Sequence, residues 1–511
     1  MGEAIPDVIT PFTWSLVRGL DNESGFIPGY YLWSGNICGR IYSNISQRLS
    51  AITALYGWDA KRAMTLIGEI FGHIPEDLSV PVYPFSRFHL IKEMLPGIKR
   101  LIWNTLKASK NMPSFLNDTP VWCGKMTERI GKIKTEAELL SLWKDELQPY
   151  SFKAWWMHIT AGSKAVLALR LNKKLAKLVG TEDANALLSN LRGSSELASL
   201  GPITGISRVI KGEMSREEYL LQYGHRGPHE FELSIPGPAE DNTWLERQVE
   251  EFGKMDVDGL LERQHTQFEA ARKRFQERFP NKVKWLDKQL AKASEGTRLR
   301  EAARSELVRV LRVVRAFALK TGELTGIGDS VFFLYVNEVE NLLAGDNSAL
   351  KYVPARKENY EKYKALPPFP SIIRGRFDPF EWAKDPDRRL DYYDATMPVA
   401  TAPYSEMLRG FAGAAGKVEG RVRVLANPEE GEMLQPGEIL VATTTNVGWT
   451  PLFPRAAAIV TDIGAPLSHA AIVARELGIP AVVGCGNATL RLKTGDRVIV
   501  DGGQGTVHIL K

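Results

Sequence analysis

The sequence predicts two domains of different fold classes: a large, mainly helical domain over residues 1–390 and a small α/β domain over residues 413–511, joined by a linker over residues 391–412. The helical prediction rests on stretches in which apolar residues recur every three or four positions between charged ones. The clearest of these stretches are Glu136–Leu147, Lys164–Leu178 and Leu299–Lys320. The change of class rests on short β-rich runs, separated by turn residues, that begin at about Gly413. The chain of 511 residues is therefore expected to be a multidomain α and α/β protein.

The third helical stretch shows how the large domain is expected to form its core. Leu307, Leu311, Val314 and Ala318 recur at helical spacing and predict one buried stripe. The long and highly charged segment Leu245–Leu290 predicts either a solvated helical hairpin or an arm that docks a partner.

Six short strands and one helix are predicted in the small domain. The strands are Arg421–Leu425, Glu438–Ala442, Ala458–Thr461, Ala481–Val483, Arg497–Val500 and Thr506–Leu510. A helical stretch, Ala470–Leu477, lies between the third and the fourth of them. Nine basic and nine acidic residues make this domain electrically neutral, so the positive charge of the chain belongs to the helical part.

The segment before the small domain lacks any hydrophobic period. Leu366–Ser371 and Asp378–Thr401 are rich in Pro, Asp and Arg, which predicts an exit from the helical domain that leads into the linker. Met397–Pro403 continues with Pro and Ala, a composition typical of a semi-rigid tether.

Charge and cysteine usage exclude several classes of protein. The 65 Lys and Arg against 60 Asp and Glu give a net charge of +5, too small an excess to indicate nucleic-acid binding. Between Lys92 and Lys134, nine basic residues stand against three acidic ones, which predicts either a solvated surface or a docking surface for an acidic partner. Cys38, Cys123 and Cys485 form no CxxC pair, so free thiols are expected. With no signal-peptide pattern and no long apolar run, a cytoplasmic location is expected.

One histidine stands at the start of the helix predicted in the small domain. Ser468 is a suitable N-cap, which places His469 in the first helical turn, and Gly478 followed by Pro480 ends the helix. The free backbone N–H groups of a helix N-terminus stabilise an anion and disfavour a charged imidazole. Both effects favour a histidine that attacks phosphorus as a neutral nucleophile and then carries the phosphoryl group.

The segment Leu467–Gly484 resembles the phosphohistidine motif of the swivelling domain shared by phosphoenolpyruvate synthase, pyruvate phosphate dikinase and rifampicin phosphotransferase. Trp449–Phe453 and Gly495–Gly502 extend the resemblance over essentially all of residues 413–511. It implies that His469 carries the phosphoryl group, with Ser468 as a second catalytic residue. The implied phosphate-binding loop contains Gly464, Ala465 and Ala470.

Two positions depart from the pattern of that family. Ala465 stands where the family often has the second of two adjacent glycines, and Asn446-Val447 stands near the place of a frequent Asp-Pro. Because Ala465 is small, we expect the loop to keep its shape. The change at Asn446 bears on how the domain docks rather than on His469.

Four segments of the helical part resemble the substrate-binding domain of rifampicin phosphotransferase. They are Ile9–Trp14, Gly39–Ile45, Tyr223–Glu230 and Asp329–Leu334. In the third, His225 or His229 could serve as the base for an acceptor hydroxyl, and Arg226 could hold phosphoryl oxygens through two N–H groups. The residues expected to bind the substrate are His229, Glu230, Arg300 and Arg304. A polar Gly-Pro turn and a solvated helix face with ion pairs remain the alternatives, and no metal site is predicted.

The resemblance also implies a phosphoryl donor that this sequence does not contain. Phosphoenolpyruvate synthase and rifampicin phosphotransferase use an ATP-grasp domain, whereas here the substrate-domain resemblance starts near residue 1 and no P-loop occurs. We therefore expect one subunit of a split phosphotransferase, similar in organisation to phenylphosphate synthase. A separate ATP-grasp chain that binds ATP and Mg²⁺ would phosphorylate His469, releasing AMP and phosphate, and this chain would bind no cofactor itself.

The expected acceptor is a small phenol or alcohol, because the phosphoryl group must reach a hydroxyl. Two alternatives stay open. The chain could be a component of a rifampicin-type antibiotic phosphotransferase, or a phosphocarrier or regulatory binding protein without acceptor chemistry.

Overall fold

The structure, a computed structural model, describes residues 5, 7–24, 34–64, 80–83, 85–189, 200–241, 243–252, 257–385, 388, 392–397, 406–466 and 468–510. Within these ranges the helices of the large domain are α1 Pro11–Ser24, α2 Ile45–Tyr56, α3 Arg87–Lys132, α4 Glu136–Leu142, α5 Gln148–Val179, α6 Thr181–Leu187, α7 Gly201–Ile210, α8 Arg216–Tyr223, α9 Trp244–Phe252, α10 Val257–Arg278, α11 Val283–Leu324, α12 Val336–Leu343, α13 Val353–Lys364 and α14 Pro379–Lys384. A π-helical turn, Trp143–Leu147, joins α4 to α5. All three predicted helical stretches are helical, and two of them lie inside the longer α5 and α11.

The core of the large domain lies between α11, α5 and α3. Leu307, Leu311, Val314 and Ala318 are buried on α11, which confirms the predicted stripe. They pack with side chains of α1, α3 and α5, such as Phe12, so α11 is the central helix around which the others assemble. None of the helices in the described ranges is long and apolar enough to cross a membrane. The three cysteines are free thiols, as expected.

An eight-stranded mixed sheet forms the C-terminal domain. Two smaller two-stranded sheets, β1 with β2 and β3 with β4, lie in the large domain. The strands are β1 Ser34–Ile37, β2 Arg40–Ser43, β3 Ile372–Arg374, β4 Tyr392–Asp394, β5 Met407–Arg409, β6 Phe411–Ala414, β7 Lys417–Val424, β8 Ile439–Ala442, β9 Ala458–Thr461, β10 Ala481–Val483, β11 Arg497–Asp501 and β12 Thr506–Leu510. The order in the large sheet is β5-β12-β11-β7-β8-β9-β10-β6, with β7 to β10 parallel. The helices of this domain are α15 His469–Leu477 and α16 Ala488–Arg491.

The sheet begins earlier than the sequence predicts. Met407–Arg409 pairs with β12 and Phe411–Ala414 pairs with β10, so residues 407–412, predicted as linker, are strands of the C-terminal domain. Neither segment contains a β-branched residue, whereas every predicted strand does, so the sequence does not mark them as strands.

The region before this domain is also more ordered than predicted. β3 and β4 pair in parallel, and α14 lies between them in sequence. Phe369, Phe377 and Trp382 pack their rings against one another next to this pair. Aromatic packing thus replaces the hydrophobic period that the sequence lacks there. The predicted tether Met397–Pro403 lies outside the described residues after Met397.

The C-terminal domain packs against the large domain through the face that carries α15. Ile203, Tyr219 and Leu245 of the large domain share one buried apolar cluster with Trp449 and Phe453 of the C-terminal domain. α10 lies along α15, close enough that a Cβ atom on Gly478 would stand 3.1 Å from the Cβ atom of Gln264. Part of the charged segment predicted as a hairpin or docking arm therefore contacts the C-terminal domain of its own chain.

Candidate functional site

His469 occupies the first turn of α15, as the sequence predicts. The Ser468 hydroxyl accepts a hydrogen bond from the backbone N–H of Ala471 at 3.2 Å, and Gly478 ends the helix in the left-handed conformation. This hydroxyl caps the helix, and the catalytic role expected of Ser468 stays a prediction. The cap holds His469 at the positive end of the helix dipole.

The loop before the helix is shaped by small residues. A Cβ atom on Gly464 would lie 3.0 Å from the Cβ atom of Val483, so the loop can follow this path only with glycine there. Ala465 is buried and accepts a hydrogen bond from the backbone N–H of Ser468 at 2.8 Å, and Ala470 is buried on the helix. The alanine in place of the second family glycine is therefore accommodated, as expected.

Two threonines hold the ring of His469. Thr445 Oγ1 lies 3.2 Å from Nδ1 and Thr450 Oγ1 lies 3.0 Å from Nε2, while the ring of Phe453 meets the imidazole edge-on. Burial of the imidazole, followed by the positive charge of Arg304, lowers the pKa of His469 to about 3. The ring is therefore neutral near pH 7, which is the form that can act as a nucleophile.

The large domain places a buried ionic group next to this histidine. Arg226 donates from Nε to Glu230 Oε2 at 2.8 Å, and Arg304 donates from Nη2 to Glu230 Oε1 at 2.7 Å. Arg300 pairs with Glu301 at 2.8 Å on the same helix, α11. Arg304, Glu301, Glu230 and Arg226 all act electrostatically on His469. The structure thus brings four predicted residues, Arg226, Glu230, Arg300 and Arg304, into one group beside the predicted carrier.

Arg226 has hydrogen-bond donors that the described residues around it do not use. Its side chain is fully buried, and within the described part of the chain its Nη1 and Nη2 atoms have no hydrogen-bond partner. A buried guanidinium with two unpaired nitrogens costs free energy unless a ligand satisfies them. Arg226 is therefore suited to hold two oxygens of an anionic group near His469.

The two histidines predicted as candidate bases have different surroundings. His225 is buried, its Nε2 lies 2.8 Å from Ser305 Oγ, and burial followed by Arg309 holds its pKa well below the usual value. Its Nδ1 has no hydrogen-bond partner among the described residues.

His229 differs, because both of its ring nitrogens have carboxylate partners. Although burial opposes its charge, hydrogen bonds to Asp7 and Glu429 raise the pKa of His229 to about 10. The geometry therefore leaves His229 no nitrogen to accept a proton, and it places the side chain between carboxylates rather than with Arg226 and Arg304.

Sequence reasoning missed three residues that bear on this site, His158, Thr445 and Thr450. His158 of α5 has a buried Nδ1 for which the described residues provide no partner, and burial followed by Arg304 and Arg300 lowers its pKa to about 4. Asn446 donates from Nδ2 to the carbonyl oxygen of Pro228 at 2.5 Å, so the departure from the family pattern is itself a docking contact. Thr450 lies inside the recognised motif and could have been found there, whereas His158 and Thr445 carry no local signal.

The fold of the C-terminal part, with a buried histidine at the N-terminus of α15, is the one expected of a phosphohistidine swivelling domain. Residues 434–505 match the model of the PEP-utilising enzyme, mobile domain. The C-terminal domain is therefore a mobile domain of the PEP-utilising enzymes, and the rest of the chain supplies the helical domain against which it docks.

Similar proteins extend this relationship beyond the mobile domain. The chain is 33% identical over 355 residues to the prodigiosin synthesizing transferase PigC of Serratia marcescens, and the alignment covers 66% of this chain and 38% of PigC. It is 32% identical over 182 residues to the rifampicin phosphotransferase of Bacillus cereus, covering 36% and 19% of the two chains. It is 44% identical over 140 residues to a probable phosphoenolpyruvate synthase of Pyrococcus abyssi, covering 25% and 17%. The matched region thus spans well under half the length of these relatives. The PigC alignment is far longer than the mobile domain, so the similarity includes helical residues.

Proposed function

We propose that this chain carries a phosphoryl group on His469 and transfers it to a hydroxyl of a small phenol or alcohol bound by the helical domain. The observation that carries the proposal is the pair formed by a neutral, buried His469 and the buried Arg226 with two unpartnered nitrogens. A phosphoryl group on the histidine would bring the anionic oxygens that Arg226 lacks.

The transfer step follows from this arrangement. The acceptor oxygen attacks phosphorus in line with the P–N bond. As that bond breaks, its electron pair returns to the ring nitrogen, and the proton retained on the other ring nitrogen leaves His469 as neutral imidazole. The charge on the phosphoryl oxygens is stabilised by Arg226 and Arg304, in the manner of other phosphoryl transfers. The acceptor proton passes to a neutral imidazole within the helical domain. We assign this role to His158, whose Nδ1 is available and whose electrostatic neighbours, Arg304 and Glu230, are also those of His469.

Loading of His469 requires a different position of the mobile domain. Because the ring is buried against the helical domain, a donor cannot reach it in the docked state. We propose that a separate ATP-grasp chain, which binds ATP and Mg²⁺, transfers the β-phosphoryl group of ATP to His469 after the mobile domain has turned away. Water takes up the γ-phosphoryl group, so AMP and phosphate are released.

A surface of α3 supports docking of this partner. We use the name α3 strip for its exposed apolar side chains and the basic residues beside them. The apolar members are Phe88, Ile91, Leu95, Ile102, Trp103 and Leu106. The basic members are Lys92, Lys99, Arg100, Lys107 and Lys110. Most of the apolar side chains recur at helical spacing on one face, with the basic residues along one side, and Phe88 and Trp103 are 81% and 70% exposed. An acidic partner with an apolar groove would fit this surface.

The experiment follows label from ATP. The chain is incubated with [β-³²P]ATP, with and without an ATP-grasp chain from the same genome, and the label is located by peptide mapping. We expect label on His469 only when the partner is present, none in His469→Gln, and full labelling in the control His508→Gln, which changes an exposed histidine of the same domain. Labelling of the isolated chain would contradict the proposal that ATP is bound by a separate chain.

The labelled chain is then offered a panel of phenols and alcohols that includes rifampicin. Discharge of the label into one of them, as a phosphate monoester, would identify the acceptor class. Discharge into rifampicin alone would favour the antibiotic-modifying alternative. A label that survives every hydroxyl compound and passes only to a protein would contradict acceptor chemistry and favour a phosphocarrier.

A further inference from the structure

His229 joins three separate parts of the chain. Its Nδ1 lies 2.7 Å from Asp7 Oδ1 in the N-terminal segment, and its Nε2 lies 3.2 Å from Glu429 Oε1. Glu429 belongs to the 3₁₀ segment Pro428–Met433 of the mobile domain, between β7 and β8. A single imidazole therefore bridges the helical domain and the mobile domain.

Both ring nitrogens of His229 carry a proton in this bridge, because each faces a carboxylate oxygen that can only accept a hydrogen bond. Two carboxylates flank the ring, and Arg312 donates to the backbone carbonyl of His229 rather than to the ring. The same hydrogen bonds keep the pKa of Glu429 below its usual value, although burial opposes this. An imidazolium between two carboxylates is a charge-assisted contact, which is stronger than a neutral hydrogen bond.

The bridge lies directly beside the site. His229 follows Pro228, whose carbonyl oxygen accepts from Asn446 of the mobile domain, and it precedes Glu230, which pairs with Arg226 and Arg304. The loop that carries the phosphoryl-binding arginine is thus held to the mobile domain at two neighbouring residues. Any change in this contact shifts Arg226 relative to His469.

We propose that His229 is a positioning residue, an imidazolium clamp that holds Glu429 of the mobile domain so that His469 faces Arg226. The clamp closes when the domain docks and opens at Glu429 when it turns away, while Asp7 keeps the ring in place. The docking role stands on the contacts alone, and its consequence for phosphoryl transfer rests on the function proposed above.

The sign of the pH dependence follows from the raised pKa. The docked pKa of His229 is about 10 and the ordinary value is about 6.5. The contribution of the clamp is therefore complete below about pH 6.5 and is lost as the pH rises through about 10.

The test measures docking and transfer separately in the full chain. Docking is followed by hydrogen exchange of peptides that cover residues 226–230 and 446–455, corrected for the intrinsic pH dependence of exchange. We expect Glu429→Gln to raise exchange in both peptides about two- to fivefold at pH 7, as for a partly exposed ion pair. The matched control Glu432→Gln, an exposed residue of the same 3₁₀ segment, is expected to leave exchange unchanged.

Transfer is measured as the rate at which phospho-His469 is discharged to an acceptor. Glu429→Gln should slow this rate by the same factor and leave labelling by the donor chain unchanged, and His229→Gln should remove the rise in exchange between pH 7 and pH 10. Identical exchange in Glu429→Gln and Glu432→Gln would overturn the clamp. Absence of label on His469 in every variant would instead contradict the proposed function, and the exchange data would still decide the clamp.

Discussion

Gly448 lies where the mobile domain touches the loop of the helical domain. A Cβ atom at this position would stand 2.5 Å from both the Cα and the Cβ atoms of Pro228. Carbon atoms in contact are normally about 3.5–4.0 Å apart, so in Gly448→Ala the two surfaces must separate by roughly 1 Å. Pro228 cannot rotate away, because its ring is part of the backbone. The same separation would stretch the 2.5 Å hydrogen bond from Asn446 to Pro228 to about the limit of a hydrogen bond.

The size of the effect follows from this overlap. Inserting a methyl group into a close-packed contact costs about 1–3 kcal/mol. Since about 1.4 kcal/mol corresponds to a factor of ten in an equilibrium constant, the equilibrium constant for docking should fall about 5- to 150-fold in Gly448→Ala. The mobile domain itself should fold normally, because the added methyl group meets a residue of the other domain.

The assay is single-turnover discharge of phospho-His469 to the acceptor, together with the rate of labelling by the donor chain. We expect Gly448→Ala to slow discharge within the stated range and to leave labelling unchanged, because labelling takes place on the undocked domain. Gly503→Ala is the control, since the nearest atom to its added Cβ lies at 3.5 Å. Discharge at the rate of this control, or an equal loss of labelling and discharge, would refute the assignment of the docked arrangement as the transfer state.

Three further predictions concern the ring nitrogens, acid stability and partner docking. The ring nitrogen of His469 that is phosphorylated must lose its hydrogen bond to threonine, Thr445 at Nδ1 or Thr450 at Nε2. Of Thr445→Val and Thr450→Val, the variant whose threonine faces the phosphorylated nitrogen should therefore slow turnover less, by a difference of about two- to tenfold between the two variants. Equal losses in both variants would contradict this. Because burial lowers the pKa values of His225 and His469, their neutral forms stabilise the fold above about pH 6.5 and this stability is lost as the pH falls through the lowered values. Denaturant titrations should show a loss of up to about 1.4 kcal/mol per pH unit for each histidine, and His469→Gln should show a shallower slope. Reversing the charge of three lysines of the α3 strip should weaken binding of the donor chain about tenfold or more and reduce its salt dependence in titration calorimetry; salt-independent binding by the unmodified chain would contradict docking at this strip.

Local features of the sequence were sufficient to predict the position of His469 at the start of its helix. The N-cap Ser468, the first-turn histidine and the terminating Gly478 act within a few residues of one another, and each has the predicted conformation. The strands Ala458–Thr461, Ala481–Val483 and Thr506–Leu510 also agree residue by residue with the predicted bounds. Such features follow from capping, turn chemistry and short β-rich runs between turn residues, which depend on neighbours in the chain.

The acceptor side of the site could be predicted only in part. Residue type suggested Arg226, Glu230, Arg300 and Arg304, but their arrangement depends on α11 lying beside the loop at residues 224–230, about 75 residues away in sequence. Histidine is a residue type typical of catalytic bases, yet His229 is held as a cation by carboxylates from two distant segments.

The sequence by itself determined which domain carries the histidine, where its helix begins and why the imidazole can be a nucleophile. Only the tertiary structure decided what that histidine faces, where the domain boundary lies and which histidine joins the two domains. The physical reason is the distance along the chain over which each interaction acts. Capping and helix dipoles act within one or two turns, whereas the burial that sets the pKa values of His229 and His469 depends on surfaces that meet only after the two domains have packed together.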